Sequence, residues 1–340
     1  MPVTIREIAE RVGLSVQTVS RVLNGMGHLH RPRTCSRVLR AAKELGYLPN
    51  SSARAVRTGR FGCVALVSST GRAGPLPEPL LRGAHDELAR RDIHLTFAAL
   101  PDEKLTNRSF VPKMLRQLMA DGLLINYHFN IPARMMELVK THRVPAVWIN
   151  CEKEFDSVLP DDFGAGRMAA ERLLNLGHRA IVYADFSHPS LGRPEHHSAV
   201  DRYKGYAAAM REAGLEARRW SVEDFPGAGS RLELAARLLS AGGRPTGLVT
   251  YGETEALTLF AAAASSGLAV PTDLSIVAIW DRLLDAAGWP IDTVVLPWYE
   301  IGREAVLMLH QKIERPGAAL ARRVLAPTLA EGRSCAAVRG

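Results

Sequence analysis

The sequence predicts an α/β protein: a small three-helix head followed by a large body of parallel sheets flanked by helices. Three observations carry this. Over residues 61–340, short apolar runs alternate with stretches of helical periodicity. Over residues 1–49, three amphipathic helical patterns follow one another with no strand pattern between them. Charge divides at the same place. Residues 1–60 hold ten Arg and Lys43 against Glu7, Glu10 and Glu44, an excess of eight, whereas the remaining 32 basic and 32 acidic residues cancel. A basic head on a neutral body is the footprint of a polyanion-binding module attached to a domain with another task.

Composition excludes several classes. The chain of 340 residues is 47% hydrophobic and 23% charged, which is globular and speaks against long disorder. Its uncharged apolar runs, such as Ala261–Ala264 and Val294–Leu296, fall far short of the ~18–20 residues of a membrane span. Arg6, Glu7 and Glu10 with no apolar run behind them speak against a secretory signal. Cys35, Cys63, Cys151 and Cys335 lie far apart without C-x-x-C spacing, which suits a reducing cytoplasm better than a disulfide scaffold or zinc module.

In the head, Ile5, Ile8, Ala9 and Val12 recur at helical spacing, and Thr4 with Glu7 spells a capping box. Gly13 supplies a turn, Ser15 caps a second helix over Val16–Leu23 with Val19, Val22 and Leu23 inward, and Asn24-Gly25 ends it. A third helix is expected from Pro32 to Leu45 on the stripe Val38, Leu39, Ala42 and Leu45, closed by Gly46, Tyr47, Leu48 and Pro49. The first two helices and their Gly-containing turn make a helix-turn-helix. Its second helix turns Gln17, Thr18 and Arg21 outward. Gln pairs bidentately with adenine and Arg with guanine in the major groove. Ser15, Ser20 and Asn24 suit phosphate oxygens at the helix ends. A merely solvated basic face is the alternative, and the neutral body argues against it.

In the body, strands are expected at Cys63–Val67, Leu95–Leu100, Leu123–Ile125, Ala146–Ile149, Ala180–Ala184, Leu248–Thr250, Ser275–Ile279 and Thr293–Leu296. Helical patterns run over Pro79–Arg91, Arg108–Ala120, Pro132–Thr141, Gly164–Leu176, Arg202–Ala213, Leu232–Ala241, Thr254–Ser266 and Ile301–Ile313. Such alternation gives parallel sheets with crossover helices, and eight units divide naturally into two lobes. Ligands then bind beyond the carboxyl ends of the strands, in the cleft. No G-x-S-x-G, Walker A or H-E-x-x-H occurs, so enzyme readings find no catalytic cluster. His196-His197 with Glu195 and Asp201 is read as part of an exposed loop, because Pro189, Gly192 and Pro194 interrupt the stretch and adjacent His side chains diverge; no metal is expected.

These residues resemble the lactose-repressor (LacI/GalR) family of bacterial transcription regulators. The head is similar almost residue for residue over Thr4-Ile5-Arg6-Glu7-Ile8-Ala9, Val16-Gln17-Thr18-Val19-Ser20-Arg21-Val22-Leu23-Asn24-Gly25 and Leu45-Gly46-Tyr47-Leu48-Pro49-Asn50, with Ala53-Arg54 shortly after. The body is similar more loosely, through Ala120–Ile125, Val144–Val147, Ala170–Leu174, Leu176–Arg179, Arg202–Tyr206 and Val270–Val277. The resemblance implies a type-I periplasmic-binding-protein-like core in two lobes, roughly 61–160 with 292–322 and 161–291 with 323–340, joined by three crossings. It implies that Val16, Gln17 and Arg21 read bases. It also implies that residues 50–60 form a hinge helix in the minor groove at the centre of a palindromic double-stranded operator, paired with the same segment of a homodimer. Thr4, Asn50, Ala53, Arg54 and Val56 complete the DNA-contacting set. Arg202 matches the effector-binding Arg, and Ser68, Ser69, Pro75, Trp148, Asn150, Phe163, Glu253 and Trp280 fall at other lining positions.

Three departures bear on the ligand. The family's A-N-D-x-x-A is Thr250-Tyr251-Gly252-Glu253-Thr254-Glu255-Ala256 here. Its G-[FY]-D-D is Ala278-Ile279-Trp280-Asp281, so Trp280 stands where a sugar-binding Asp is frequent. Its T-T-[IV]-x-Q is Asp292-Thr293-Val294-Val295-Leu296. A pocket that loses a carboxylate and gains an indole is less polar and stacks on ring faces. The expectation is a cytoplasmic, dimeric, DNA-binding repressor with no cofactor, modulated by a small molecule other than a standard hexose. The alternatives are a regulator with no small effector, controlled by a protein partner, and a solute-binding protein, which the basic head opposes. The lack of a leucine heptad over Arg322–Gly340 speaks against a tetramerising coiled coil.

Val56 stands where the resemblance calls for a wedging Leu. Val buries about one CH₂ less, worth roughly 0.8 kcal/mol per chain, and carries a small helix penalty. Val56→Leu is therefore expected to tighten operator binding by up to ~2 kcal/mol per dimer and to bend the DNA more. Affinity and bend angle on one operator decide this, and unchanged values for both identify the segment as a plain linker.

Overall fold

The computed structural model describes residues 3–47, 59–69, 76–100, 120–127, 131, 133–186, 196–221, 230–240 and 242–338. The chain divides into two compact units, Met1–Gly62 and Cys63–Gly340.

The first unit holds α1 (Ile5–Val12), α2 (Val16–Leu23) and α3 (Pro32–Glu44). The capping box is complete: Thr4 N–H donates to Glu7 Oε2 at 2.6 Å, and Glu7 N–H donates to Thr4 Oγ1 at 3.4 Å. Gly13 ends α1 at φ +61, where the left-handed conformation favours glycine. Ser15 Oγ accepts from Thr18 N–H at 3.1 Å and caps α2. Ile8, Val19 and Val38, each fully buried, are the centre of a small core with Ala9, Val12, Val22, Ala41 and Ala42. Two features differ from the sequence reading. A short 3-10 turn, Gly27–Leu29, precedes α3, and Cys35 Sγ closes on its Gly27 carbonyl at 3.2 Å. Leu39 is 54% exposed and Ala41 takes its expected place inside, because Val38, Ala41, Ala42 and Leu45 share one helical face.

The second unit runs through β1 (Cys63–Ser69), α4 (Glu78–Ala89), β2 (His94–Leu100), β3 (Gly122–Asn126), α5 (Ala133–Thr141), β4 (Ala146–Ile149), β5 (Ser157–Pro160), α6 (Asp162–Asn175), β6 (Ile181–Ala184), α7 (His197–Glu212), β7 (Arg218–Trp220), α8 (Arg231–Ser240), β8 (Gly247–Thr250), α9 (Glu253–Ser265), β9 (Ser275–Trp280), β10 (Leu284–Ala286), β11 (Trp289–Val295), α10 (Trp298–Glu314), β12 (Arg323–Leu325) and β13 (Thr328–Ala330). One sheet has the order β12-β5-β4-β3-β1-β2, all parallel. The other has the order β10-β11-β9-β8-β6-β7, parallel from β11 to β7, with β10 and β13 antiparallel to β11. The protein is thus a mixed α/β chain with an N-terminal helix-turn-helix and a two-lobed parallel-sheet core.

All eight strands read from the sequence are present. β5, β7, β10, β12 and β13 were not foreseen. All are short, and β7, β12 and β13 carry exposed or polar residues that an apolar-run criterion passes over. The helix expected over 108–120 falls almost wholly outside the described residues. The lobe boundaries differ as well. Asp292–Val295 pair with Val277–Trp280 in the second sheet, whereas Arg323–Leu325 pair with Val158–Pro160 in the first. The chain therefore crosses after Val295 and after Leu325 rather than at 292 and 323. Asp292 is fully buried and bonds Arg172 at 3.0 Å, while Ser334 N–H donates to its carboxylate at 3.2 Å, which ties the C-terminal stretch to the second sheet.

Each lobe has a helix pair in backbone contact. A Cβ on Gly83 of α4 would lie 2.0 Å from the Tyr299 carbonyl oxygen of α10, and one on Gly302 of α10 would lie 2.2 Å from that of Leu80. In the second lobe, a Cβ on Gly166 of α6 would lie 1.8 Å from the Arg202 carbonyl of α7, and one on Gly205 of α7 would lie 1.9 Å from that of Phe163. Gly166→Ala is therefore expected to destabilise the core by about 1–3 kcal/mol or more in chemical denaturation. Gly242→Ala, whose Cβ meets nothing within 4 Å, is expected to stay within about 0.5 kcal/mol. Equal midpoints for the two variants would refute the close crossing.

Candidate functional site

The head presents one face of α2. Val16 is 48% exposed, and Gln17 and Arg21 are exposed, while Val19 and Val22 anchor the opposite face. Ser15 and Thr18 spend their hydroxyls on each other at 2.9 Å, at the N-terminus of α2. Asn24 bonds the Ser20 carbonyl and lies 3.3 Å from Ser20 Oγ at the other end. Thr4 is likewise a cap. The structure thus separates the predicted set into outward-facing side chains (Val16, Gln17, Arg21) and residues that fix the helix ends. Arg37, which sequence reasoning passed over, donates to the Val12 carbonyl at 2.6 Å and holds the turn between α1 and α2. Asn50, Ala53, Arg54 and Val56 lie outside the described residues.

In the second unit, the carboxyl ends of β6 and β8 meet the N-termini of α6 and α7. Arg202 is 6% exposed. Its Nε donates to Asp162 Oδ1 at 2.7 Å, its Nη1 donates to the Tyr251 carbonyl at 2.7 Å, and it stacks 4.8 Å from the Tyr251 ring. Burial opposes its charge, but the Asp162 carboxylate outweighs burial and raises its pKa, so it stays ionised. The predicted effector-binding Arg is thus held by Asp162 and Tyr251, neither of which the sequence had singled out for this role. Ser198 Oγ joins Tyr251 Oη at 2.9 Å, and His196 Nδ1 accepts from Ser198 N–H at 3.2 Å.

Beside this group, Asp185 is fully buried and paired with Arg219 at 2.8 Å. Glu255 is 5% exposed and accepts from Phe186 N–H at 3.3 Å. Burial, with Asp185 nearby, pushes Glu255 up to about 7. Gly252 lies between Glu255 and Trp280: a Cβ there would make ordinary contact, 3.5 Å from both Glu255 Oε2 and the Trp280 ring. Trp280 is half-buried, and its Nε1 is buried with no hydrogen-bond partner among the described residues. Burial also pushes the Asp281 carboxyl up, against the lowering by Arg282, and Glu78 of the other lobe adds to the rise.

The other predicted lining residues divide. Trp148 is 5% exposed in β4 and lies under the Lys153 ammonium at 4.4 Å. Asn150 follows β4 at φ +55, and its carbonyl lies 3.3 Å from His197 Nε2 of the second lobe. Ser68 is buried and Ser69 half-buried at the end of β1; Phe163 is 42% exposed in the first turn of α6; Glu253 starts α9, 3.9 Å from Arg282. Pro75 lies outside the described residues. His197 corrects the loop reading. It opens α7, which His196 caps, with its side chain only 14% exposed, and the two rings lie 4.1 Å apart, tilted by 40°, instead of diverging.

Comparison with known proteins places these features. Residues 4–50 match the model of bacterial regulatory proteins of the lacI family, and residues 170–335 match a periplasmic binding protein-like domain. The chain is 30% identical over 324 residues to the HTH-type transcriptional regulator DegA of Bacillus subtilis, covering 89% of each. It is 27% identical to the HTH-type transcriptional repressor PurR of Pectobacterium carotovorum, covering 98% of this chain and 97% of that one. A lac repressor dimer bound to operator and the anti-inducer ONPF has the same fold, with TM-score 0.79 and 22% identity over 99% of this chain and 100% of that one. The chain belongs to the lacI family of bacterial regulatory proteins, and it is a DNA-binding transcription regulator.

Glu255 makes the core sensitive to pH. Its pKa is raised from 4.5 to about 7 on folding. A raised carboxyl binds its proton more tightly in the folded state, so its contribution is full below about pH 4.5 and is lost as pH rises through 7. Glu255→Gln is expected to flatten this fall, making the variant relatively more stable at pH 8 by on the order of 3 kcal/mol at most. Denaturation midpoints at pH 5 and pH 8 decide it; identical pH slopes would show that Glu255 is not held protonated.

Proposed function

We propose that the protein is a cytoplasmic, homodimeric repressor that grips a palindromic double-stranded operator through α2 of each copy. The observation that carries this is the exposed Val16, Gln17 and Arg21 face on a capped helix within a strongly basic unit. A dimer presents two such helices to two half-sites, so operator symmetry mirrors protein symmetry. Asn50, Ala53, Arg54 and Val56 extend the contact along the linker. The repressor named among its relatives and the operator-bound dimer among solved structures support the reading.

A small molecule between the two lobes sets the affinity for DNA. Asn150, which follows β4 of one lobe, meets His197 of the other at 3.3 Å. A ligand that binds one lobe arrangement better than another shifts the population by that difference. Trp280 in place of a carboxylate, with a buried Nε1–H lacking a partner among the described residues, favours a ligand with an apolar or ring face and one acceptor. Arg202, held by Asp162, serves as a floor.

Selection of bound sequences from a random DNA library tests the reading. An enriched palindrome supports it, and no enrichment overturns it. On the selected operator Arg21→Ala is expected to cost about 1–3 kcal/mol, and far less on random DNA. If a dimer neutralises roughly 6–10 phosphates, wild-type affinity falls about 10³–10⁵-fold between 50 and 200 mM salt. Equal losses on both DNAs would confine Arg21 to phosphate contacts, and a flat salt titration would remove the basic-head argument.

A further inference from the structure

At the mouth of the cleft, Glu152, His197 and Asp201 each turn one potential ligand atom to the others, all within 4.8 Å. His197 and Asp201 lie one turn apart on α7, while Glu152 follows β4 in the other lobe. His197 Nε2 lies 3.3 Å from the Asn150 carbonyl, which accepts only from an N–H, so this nitrogen carries the proton. In the neutral ring the Nδ1 lone pair then faces two carboxylate oxygens, Asp201 Oδ2 at 3.9 Å and Asp162 Oδ2 at 4.0 Å.

Each of these two carboxylates is already half engaged. Asp162 Oδ1 is bound by Arg202 and Asp201 Oδ1 by Lys204 at 3.4 Å, which leaves the second oxygen of each directed at His197. Asp162 has a side chain only 2% exposed, and its Oδ2 has no hydrogen-bond partner among the described residues. A buried acceptor aimed at other acceptors is costly unless a cation stands between them.

We propose that Glu152, His197 and Asp201 bind a divalent transition-metal ion, with Asp162 Oδ2 as the buried oxygen turned toward it, and that the ion clasps the two lobes. Ligand atoms at about 2.0–2.2 Å from one ion stand roughly 3–4 Å apart, so the His197 separations need little adjustment and the exposed Glu152 swings in. A histidine whose other N–H is held by a backbone carbonyl is the outer-shell arrangement that orients metal-binding imidazoles. One imidazole with carboxylates suits Zn²⁺, Co²⁺ or Mn²⁺ rather than thiolate-seeking Cu⁺. Because Glu152 alone of these comes from the first lobe, the ion favours lobe closure by whatever it gains from that fourth contact.

The test uses the full chain without a polyhistidine tag, stripped with a chelator and titrated with Co²⁺. One Co²⁺ per chain with a visible ligand-field band, displaced by Zn²⁺, is expected. His197→Gln and Asp201→Asn, with folding checked by circular dichroism, should each lose the band and weaken Co²⁺ binding at least about 100-fold, beyond the 10–100-fold typical of outer-shell losses. Glu152→Gln should weaken binding about tenfold and abolish the Co²⁺-induced decrease in radius of gyration seen by solution X-ray scattering. His310→Gln, on the outer helix α10, should change nothing. Absence of a band, a band that survives His197→Gln, or one lost in His310→Gln overturns the site. Unaltered Co²⁺ affinity or compaction in Glu152→Gln overturns the clasp. Neither readout involves DNA, so the outcome is independent of the regulatory reading.

Discussion

The Arg202–Asp162 ion pair is the constraint on which the second lobe depends. Withdrawing two charges from water costs several kcal/mol per ion, and mutual attraction alone does not reliably offset it. Here the guanidinium is also satisfied by the Tyr251 carbonyl and lies on the Tyr251 ring. The pair therefore joins three elements at one point: the start of α6, the first turns of α7 and the loop after β8. That meeting requires α6 and α7 to touch backbone to backbone, which Gly166 and Gly205 alone permit. Gly166 lies against the Arg202 backbone and Gly205 against Phe163, the residue after Asp162, so these two glycines set where the ion pair can sit. Removing one partner leaves the other buried and uncompensated, which typically costs about 3–5 kcal/mol.

How much of this was legible in the sequence depends on the range of the interaction. The head is written in local rules. Thr4 with Glu7, Ser15 before α2 and Gly13 at a positive φ are each decided within four residues, and the folded head uses all three as caps. Leu39 shows the limit of periodicity. A hydrophobic residue at the edge of an apolar stripe has two plausible faces, and only packing against α1 and α2 chooses Ala41. The central strands were readable because burial on both faces demands continuous apolar runs. Edge strands such as β7 and β12 answer to hydrogen bonding on one side and leave no such trace.

The site was legible by residue type and not by partnership. Arg202 stood out at once, yet what holds it lies 40 residues earlier, in a Asp161-Asp162 pair whose first member caps α6 and whose second takes the ion pair. Nothing in local spacing distinguishes those two roles. The prolines and glycine before His197 predict a loop there. His196 reverses that by accepting the Ser198 N–H and starting a helix at the next residue. A cap of this kind is a common histidine in an uncommon place, and propensity does not flag it.

Two of the departures from the family pattern, at Gly252–Glu255 and at Trp280, meet at one place. Gly252 lies against both the Trp280 ring and Glu255, whose burial pushes it to about 7. A frequent carboxylate is gone from the strand end, and a buried one lies beneath it. The polar groups at the floor are consumed among themselves: Arg202 with Asp162, Arg219 with Asp185, and Tyr251 with Ser198. These pairings leave few polar atoms open, the buried Asp162 Oδ2 and Trp280 Nε1 among them, and the indole adds apolar area. On the proposed reading, recognition rests on shape and ring stacking at Trp280, while the charged network beneath supplies rigidity. That division follows from desolvation. Under that proposal, a lobe that has already paired most of its buried charges gains little from a hydroxyl-rich ligand and more from one that covers Trp280.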